Sequence, residues 1–280
     1  MLGFKFLHVP QKNINPEKII EIVGVAPRKI CFNSCHTTAL KKKEYKEFIG
    51  TFSLPFRETI KSFFEQETGL TLYETKYGYW HPIPDEDVYI KIEQFINKYR
   101  EIVFIRDYLE LSIALSENFN DQNERTEIGE LEYQAKFKKD EASIDRLIEK
   151  CIESFKSLPF YIVADLICAI PPSKKDEDNL PRIIASNLEQ FGLGNISKCV
   201  SWAKEKPQLK EMKFDEKFNL LESVGLEIKV DVKDKVIVLI DDLYQSGITM
   251  QYVAMKLKEA GAKMVFGLSI VKSRKNTDNS

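Results

Sequence analysis

The sequence predicts an α/β protein: a parallel sheet with helices on both faces, preceded by an α+β N-terminal domain. Three observations predict it. Apolar, largely β-branched runs recur at 166–170, 236–240 and 264–271, the pattern of strands buried on both faces inside a parallel sheet. Amphipathic stretches alternate with these runs, as parallel strands joined by crossover helices require. A polar, turn-rich stretch at 118–126 separates this alternation from what precedes it. The boundary is therefore expected there, giving an N-terminal α+β domain over 1–125, the parallel-sheet domain over 126–273 and a polar tail over 274–280.

In chain order, 16–23 reads as a short helix with Asn15 as N-cap and Pro16 at its first position. A strand is expected over 29–32. The segment 41–67 reads as helix-rich, split at Pro55, with Lys41, Lys42 and Lys43 as a solvated face or loop. Alternation of Leu70, Leu72, Tyr77 and Tyr79 predicts a strand over 71–80, and Pro82 and Pro84 mark a loop after it. Residues 85–100 are amphipathic through Val88, Ile92, Phe95, Ile96 and Tyr99. The apolar stretch 101–115 is left open between strand and helix.

A strand is expected over 130–137, then a well-formed amphipathic helix over 141–158, with Ile144, Leu147, Ile148, Cys151, Ile152, Phe155 and Leu158 on one face. The strand 166–170 ends at Pro171 and Pro172. A helix over 180–191 is stopped by Gly192 and Gly194, a strand follows over 196–202, and 204–226 is a long polar connection. After the 236–240 strand, a helix shows itself in Met250, Val253, Ala254 and Leu257 and stops at Gly261. The 264–271 strand is expected to close the sheet.

Composition narrows the function classes. Lys+Arg of 41 against Asp+Glu of 43 gives a formal charge of −2, so broad electrostatic binding to nucleic acid is not supported. No apolar run reaches membrane-span length, and the N-terminus lacks the apolar core of a signal peptide, so a cytoplasmic protein is expected. The five cysteines are scattered, and Cys151, Cys168 and Cys199 read as small buried hydrophobes in a reducing compartment. Cys31, Cys35 and His36, with His81 as a distant fourth candidate, miss the usual zinc spacing and are read as structural.

The chemistry concentrates at 236–249. The strand is expected to end at Ile240, leaving Asp241 and Asp242 at its carboxyl end, where open α/β sheets bind ligands. Gln245, Ser246, Gly247, Ile248 and Thr249 then lead into a helix N-terminus, whose unpaired amides and positive dipole end suit a phosphate. The hydroxyls of Ser246 and Thr249 add donors, and Gly247 permits close backbone approach. The twin carboxylates suit vicinal hydroxyls. A ligand with a phosphate at one end and a diol at the other is a ribose 5-phosphate.

These residues, Asp241-Asp-Leu-Tyr-Gln-Ser-Gly-Ile-Thr249, resemble the phosphoribosyl-diphosphate (PRPP) signature of the type I phosphoribosyltransferases. Tyr244 is bulkier than the usual aliphatic, and Gln245 stands where purine enzymes of the family often carry an Asp. Over about 128–272 the chain looks like the ComF-like (competence protein F) branch, through Pro171-Pro172, Asn179, Pro207-Gln208 and Glu216-Lys-Phe-Asn219. Asp176-Glu-Asp178 departs from that branch, and the first 125 residues resemble no named module.

The resemblance implies a phosphoribosyltransferase-like sheet and transfer of phosphoribosyl from PRPP to a base or amine, with release of diphosphate. Asp241 and Asp242 are expected to orient the ribose diol, and 245–249 to hold the 5-phosphate. Pro172, Ser173, Lys174 and Lys175 would receive the diphosphate. Lys204, Lys206 and Lys210 belong to a loop that either folds over the site or is ordinary surface. Mg²⁺ is expected as cofactor, carried mainly by PRPP. A non-catalytic PRPP or nucleotide sensor and a ComF-like factor in DNA handling stand as alternatives, and the acceptor, the general base and homodimer formation are left open.

Overall fold

The computed structural model describes residues 10–33, 39–45, 47–58, 60–173, 179–207, 209 and 212–274. The first half comprises α1 (Pro16–Val23), β1 (Lys29–Cys31), β2 (Leu40–Tyr45), β3 (Phe48–Leu54), α2 (Lys61–Thr68), β4 (Tyr73–Thr75), β5 (Gly78–Ile83), α3 (Glu86–Lys98), β6 (Val103–Ile105) and β7 (Ser112–Glu117). The second comprises α4 (Glu127–Tyr133), a π-helical turn (Gln134–Lys138), α5 (Glu141–Ser157), α6 (Pro159–Ile162), β8 (Leu166–Ala169), α7 (Leu180–Leu188) and β9 (Gly194–Asn195). It continues with β10 (Val200–Trp202), α8 (Phe214–Val224), β11 (Leu226–Ile228), β12 (Val236–Tyr244), α9 (Ile248–Glu259) and β13 (Met264–Lys272).

Among the described residues, seven strands form the main sheet in the order β1-β6-β7-β13-β12-β8-β9. β7, β13, β12, β8 and β9 run parallel, whereas β6 is antiparallel to both β7 and β1. Alternate residues of β12 and β13 enter two cores. On one face Val238, Ile240, Phe266 and Leu268 meet Leu147, Cys151 and Phe155 of α5 and Ile184 and Leu188 of α7. On the other, Ile237, Leu239 and Val265 meet Val253 and Leu257 of α9, Leu221 of α8, and Ile19 and Val23 of α1. Gly267 lets α9 sit close to the sheet, because a Cβ there would lie 2.7 Å from both Met250 Sδ and Ser112 Oγ.

Local chemistry explains several boundaries. Asn15 accepts from the Lys18 amide with Pro16 in the first turn of α1, as its sequence predicts. Asp85, Asp140 and Asn179 cap α3, α5 and α7 in the same way. The buried thiols of Cys151 and Cys168 are pushed up to about 12 by burial, which leaves them inert space-fillers. Among the described residues, no helix is long and apolar enough to cross a membrane.

Four expectations are corrected. The boundary at residue 125 falls inside the main sheet: β1, β6 and β7 come from the first half, and β7 pairs with β13 from Gly267↔Ser112 to Lys272↔Glu117. The polar stretch 118–126 is a tight connection, closed by a Phe119↔Arg125 bridge and by Thr126 capping α4. Residues 40–54 form antiparallel strands of a second sheet, β2-β3-β5-β4; the Lys- and Glu-rich composition is overridden by the period-two burial of Gly50, Phe52 and Leu54. Residues 130–137 are helical, because Thr126 caps the segment and burial of Gly129, Glu132 and Ala135 recurs every third residue. β13 does not close the sheet but lies between β12 and β7, and every residue after Met264 in it is buried.

Candidate functional site

β12 does not end at Ile240. It continues to Tyr244, and Asp241 and Tyr244 still pair with Ser269 and Lys272 of β13. The loop 245–247 therefore begins four residues later than expected, and α9 starts directly after it. Gly247 has φ 78°, the left-handed region that a side chain strains to adopt.

Each loop carbonyl is taken from behind. Tyr244 O accepts from the Ser273 amide at 2.9 Å, and Gln245 O from Lys272 Nζ at 3.2 Å. Ser246 O accepts from Arg28 Nη2 at 3.0 Å, and Gly247 O from the Gln251 amide at 2.9 Å. The donors are left over. No described residue accepts a hydrogen bond from the amides of Ser246, Gly247 or Thr249, and the Ile248 amide reaches only Ser246 Oγ, at 3.4 Å. A helix N-terminus whose carbonyls are satisfied and whose amides are open is an anion receptor.

These residues border a cavity of about 240 Å³ lined by Ser173, Lys206, Pro207, Leu209, Lys217, Asp241 and the stretch 243–247 with Thr249 and Met250. Ser173 follows β8 and the loop follows β12, so two parallel strands deliver their carboxyl ends to one place. Lys206 comes from the connection after β10, and Lys217 from α8. Of the predicted phosphate residues, Gln245, Ser246, Gly247 and Thr249 line this cavity; Ile248 is packed in the core, and its amide reaches Ser246 Oγ.

The two carboxylates part company. Asp241 lines the cavity, whereas Asp242 turns to the helix above the sheet, where its Oδ2 lies 2.7 Å from Lys136 Nζ. Strand geometry explains the split, since successive side chains leave opposite faces. Of the two acids expected on one diol, Asp241 lines the cavity and Asp242 does not. Burial, and next the neighbouring charge of Asp242, push the Asp241 carboxyl up to about 7, with Lys136 and Lys206 working the other way. Burial opposes the charge on Lys136, yet the Asp242 carboxylate outweighs it and holds the ammonium above its ordinary value. Burial lowers Lys206.

The residues expected to receive a diphosphate are only partly brought together. Ser173 lines the cavity and also a neighbouring one of about 510 Å³, which it shares with Pro172, Arg182, Lys198, Lys204 and Lys229. Lys204 is exposed and donates to Ser223 O at 2.9 Å. Lys174, Lys175, Gln208 and Lys210, with Asp176–Asp178 and the Cys35–His36 pair, lie outside the described residues.

Sequence reasoning missed Arg28, Lys136, Lys217 and Lys272. Nothing in their local pattern marks them, because each reaches the site only through the pairing of distant strands and helices.

No family model matches the sequence, and no curated protein matches it. Solved structures similar to this chain include a hypoxanthine phosphoribosyltransferase from Staphylococcus aureus, 12% identical over 49% of this chain and 68% of that one, with a TM-score of 0.34. A purine phosphoribosyltransferase from Pyrococcus horikoshii is 18% identical over 49% of this chain and 86% of its own, with a TM-score of 0.30.

Proposed function

We propose that the chain binds PRPP and transfers its phosphoribosyl group to a base or amine, releasing diphosphate. The observation that carries this reading is the loop: open amides at Ser246, Gly247 and Thr249, with their carbonyls tied back, facing a cavity that also holds Asp241 and Lys206. The amides take the 5-phosphate. Asp241 accepts from a ribose hydroxyl and holds the sugar in line for displacement at C1. Lys206 and Ser173 meet the diphosphate as negative charge builds on it, and the neighbouring lysine-lined cavity extends that side.

Among the described residues no group of three or more His, Cys, Asp or Glu side chains is built to enclose a metal ion. Mg²⁺ would be carried by the ligand's own oxygens, with Asp241 the carboxylate in the cavity wall, and would supply charge neutralisation of the leaving diphosphate. Gln245 lines the cavity and cannot ionise, so the acceptor is one that arrives as a nucleophile or is deprotonated elsewhere.

A second reading, a PRPP or nucleotide sensor, is favoured by the wiring of first-half residues into the loop, which lets the bound state reach the rest of the molecule. Calorimetry with PRPP and Mg²⁺, followed by diphosphate release across a panel of bases and amines, separates the two. Binding with release supports the transferase, and binding without release for any acceptor supports the sensor. Absence of binding contradicts both.

A further inference from the structure

The guanidinium of Arg28 is 1% exposed and donates to three carbonyls from three segments: Val23 at 2.9 Å, Arg106 at 3.3 Å and Ser246 at 3.0 Å. Burying so polar a group is costly unless its donors are met, and one of them meets the phosphate loop. Beside it, Tyr244 is 1% exposed and donates from its hydroxyl to Asp107 Oδ2 at 3.0 Å, while Asp107 Oδ1 accepts from the Leu109 amide at 3.0 Å. The tyrosine ring lies directly beneath Gly247, where an added Cβ would come within 2.0 Å of the hydroxyl. Arg28 and Asp107 are themselves joined through backbone, since the Arg106 amide donates to Arg28 O at 2.8 Å. Two residues of the first half thus hold the loop at two consecutive points: its Ser246 carbonyl, and the floor under Gly247.

On the ribose-phosphate reading given above, we infer that Arg28 and the Tyr244–Asp107 pair are positioning residues for the 5-phosphate, so that the first half of the chain is part of the binding site. Arg28 fixes the Ser246–Gly247 peptide with its carbonyl inward, which presents the Gly247 amide to the cavity. Tyr244, anchored by Asp107, sets how deep the loop can sink. Arg28 is not among the residues lining the cavity, and both side chains determine where the amides stand.

The test is calorimetric titration of ribose 5-phosphate into the full chain and into Arg28→Met, Arg28→Lys, Tyr244→Phe and Ile19→Ala, each below its own unfolding transition. Ile19→Ala thins the core between α1 and the sheet without touching the loop. Loss of a charge-assisted hydrogen bond that orients the receptor should weaken Arg28→Met about tenfold or more and Tyr244→Phe about threefold. Arg28→Lys, which keeps a donor for Ser246, should recover most of the affinity, and Ile19→Ala should bind as wild type does. Wild-type affinity in Arg28→Met overturns the inference, as does an equal loss in Ile19→Ala, because the loss would then follow destabilisation rather than loop geometry. If Arg28→Met does not fold, Tyr244→Phe decides, and wild-type affinity in it overturns the inference. A wild-type chain that does not bind ribose 5-phosphate at all instead removes the ribose-phosphate reading itself, and the inference with it.

Discussion

Replacing Gly247 by alanine should damage the molecule from beneath the loop rather than from the ligand side. At φ 78° the residue sits where an L side chain costs about 1–2 kcal/mol. The added Cβ would stand 2.0 Å from Tyr244 Oη and 2.1 Å from Cζ, far inside any tolerable contact. Relief requires the buried ring to move, which breaks its hydrogen bond to Asp107 and leaves a buried polar group unmet, at a cost of about 1–3 kcal/mol. The sum is about 2–5 kcal/mol, to be read as lost stability in guanidinium unfolding. Where the loop yields instead, the loss is read as affinity for PRPP in calorimetry. Because the steric part runs through one ring, it should shrink when that ring is removed. In a Tyr244→Leu background Gly247→Ala should cost only the backbone share, a coupling of about 2 kcal/mol. Additive effects, or a Gly247→Ala protein as stable and as tightly binding as wild type, would refute the packing described for Tyr244.

Further outcomes follow from the split acid pair. Asp241→Asn should weaken PRPP binding by about 2 kcal/mol or more, the loss of a charged acceptor for a ribose hydroxyl, while Asp242→Asn should cost clearly less; equal losses in calorimetry would put both acids on the ligand. With its carboxyl raised to about 7, Asp241 favours the fold fully below its unfolded range near 4, and that contribution is lost as pH rises through about 7. Unfolding free energy measured against pH should carry that slope in wild type and lose it in Asp241→Asn. Ligand affinity should move the opposite way, rising through about pH 7 as the carboxylate forms. Lys136→Met removes a charge that holds Asp241 down, so the midpoint of that affinity profile should shift upward; an unchanged midpoint would show that Lys136 does not act on the site.

How much of this was legible in the sequence depends on how local the cause is. The Asn15 cap acts within three residues. The runs at 166–170, 236–240 and 264–271 are apolar on both faces, so both kinds of feature are written in short windows. The 245–247 loop, the proposed phosphate receptor, is local too, being a strand end, a glycine and a helix start. What escaped is what depends on pairing across the chain. That β7 would lie against β13, uniting both halves in one sheet, is a contact between residues more than 150 positions apart. Once β7 and β6 join, Arg28 and Asp107 fall beneath a loop some 140 to 220 positions away. The divergence of Asp241 and Asp242 was missed for a different reason: the strand was expected to stop at Ile240, and only its continuation to Tyr244 enforces alternate faces on the two acids.

A crystal structure of the full chain with PRPP and Mg²⁺ tests the central claim most directly. The account predicts the 5-phosphate within hydrogen-bonding distance of the Ser246, Gly247 and Thr249 amides, and a ribose hydroxyl on Asp241. A ligand bound elsewhere, or a phosphate held by side chains alone while those amides turn to protein acceptors, would contradict it.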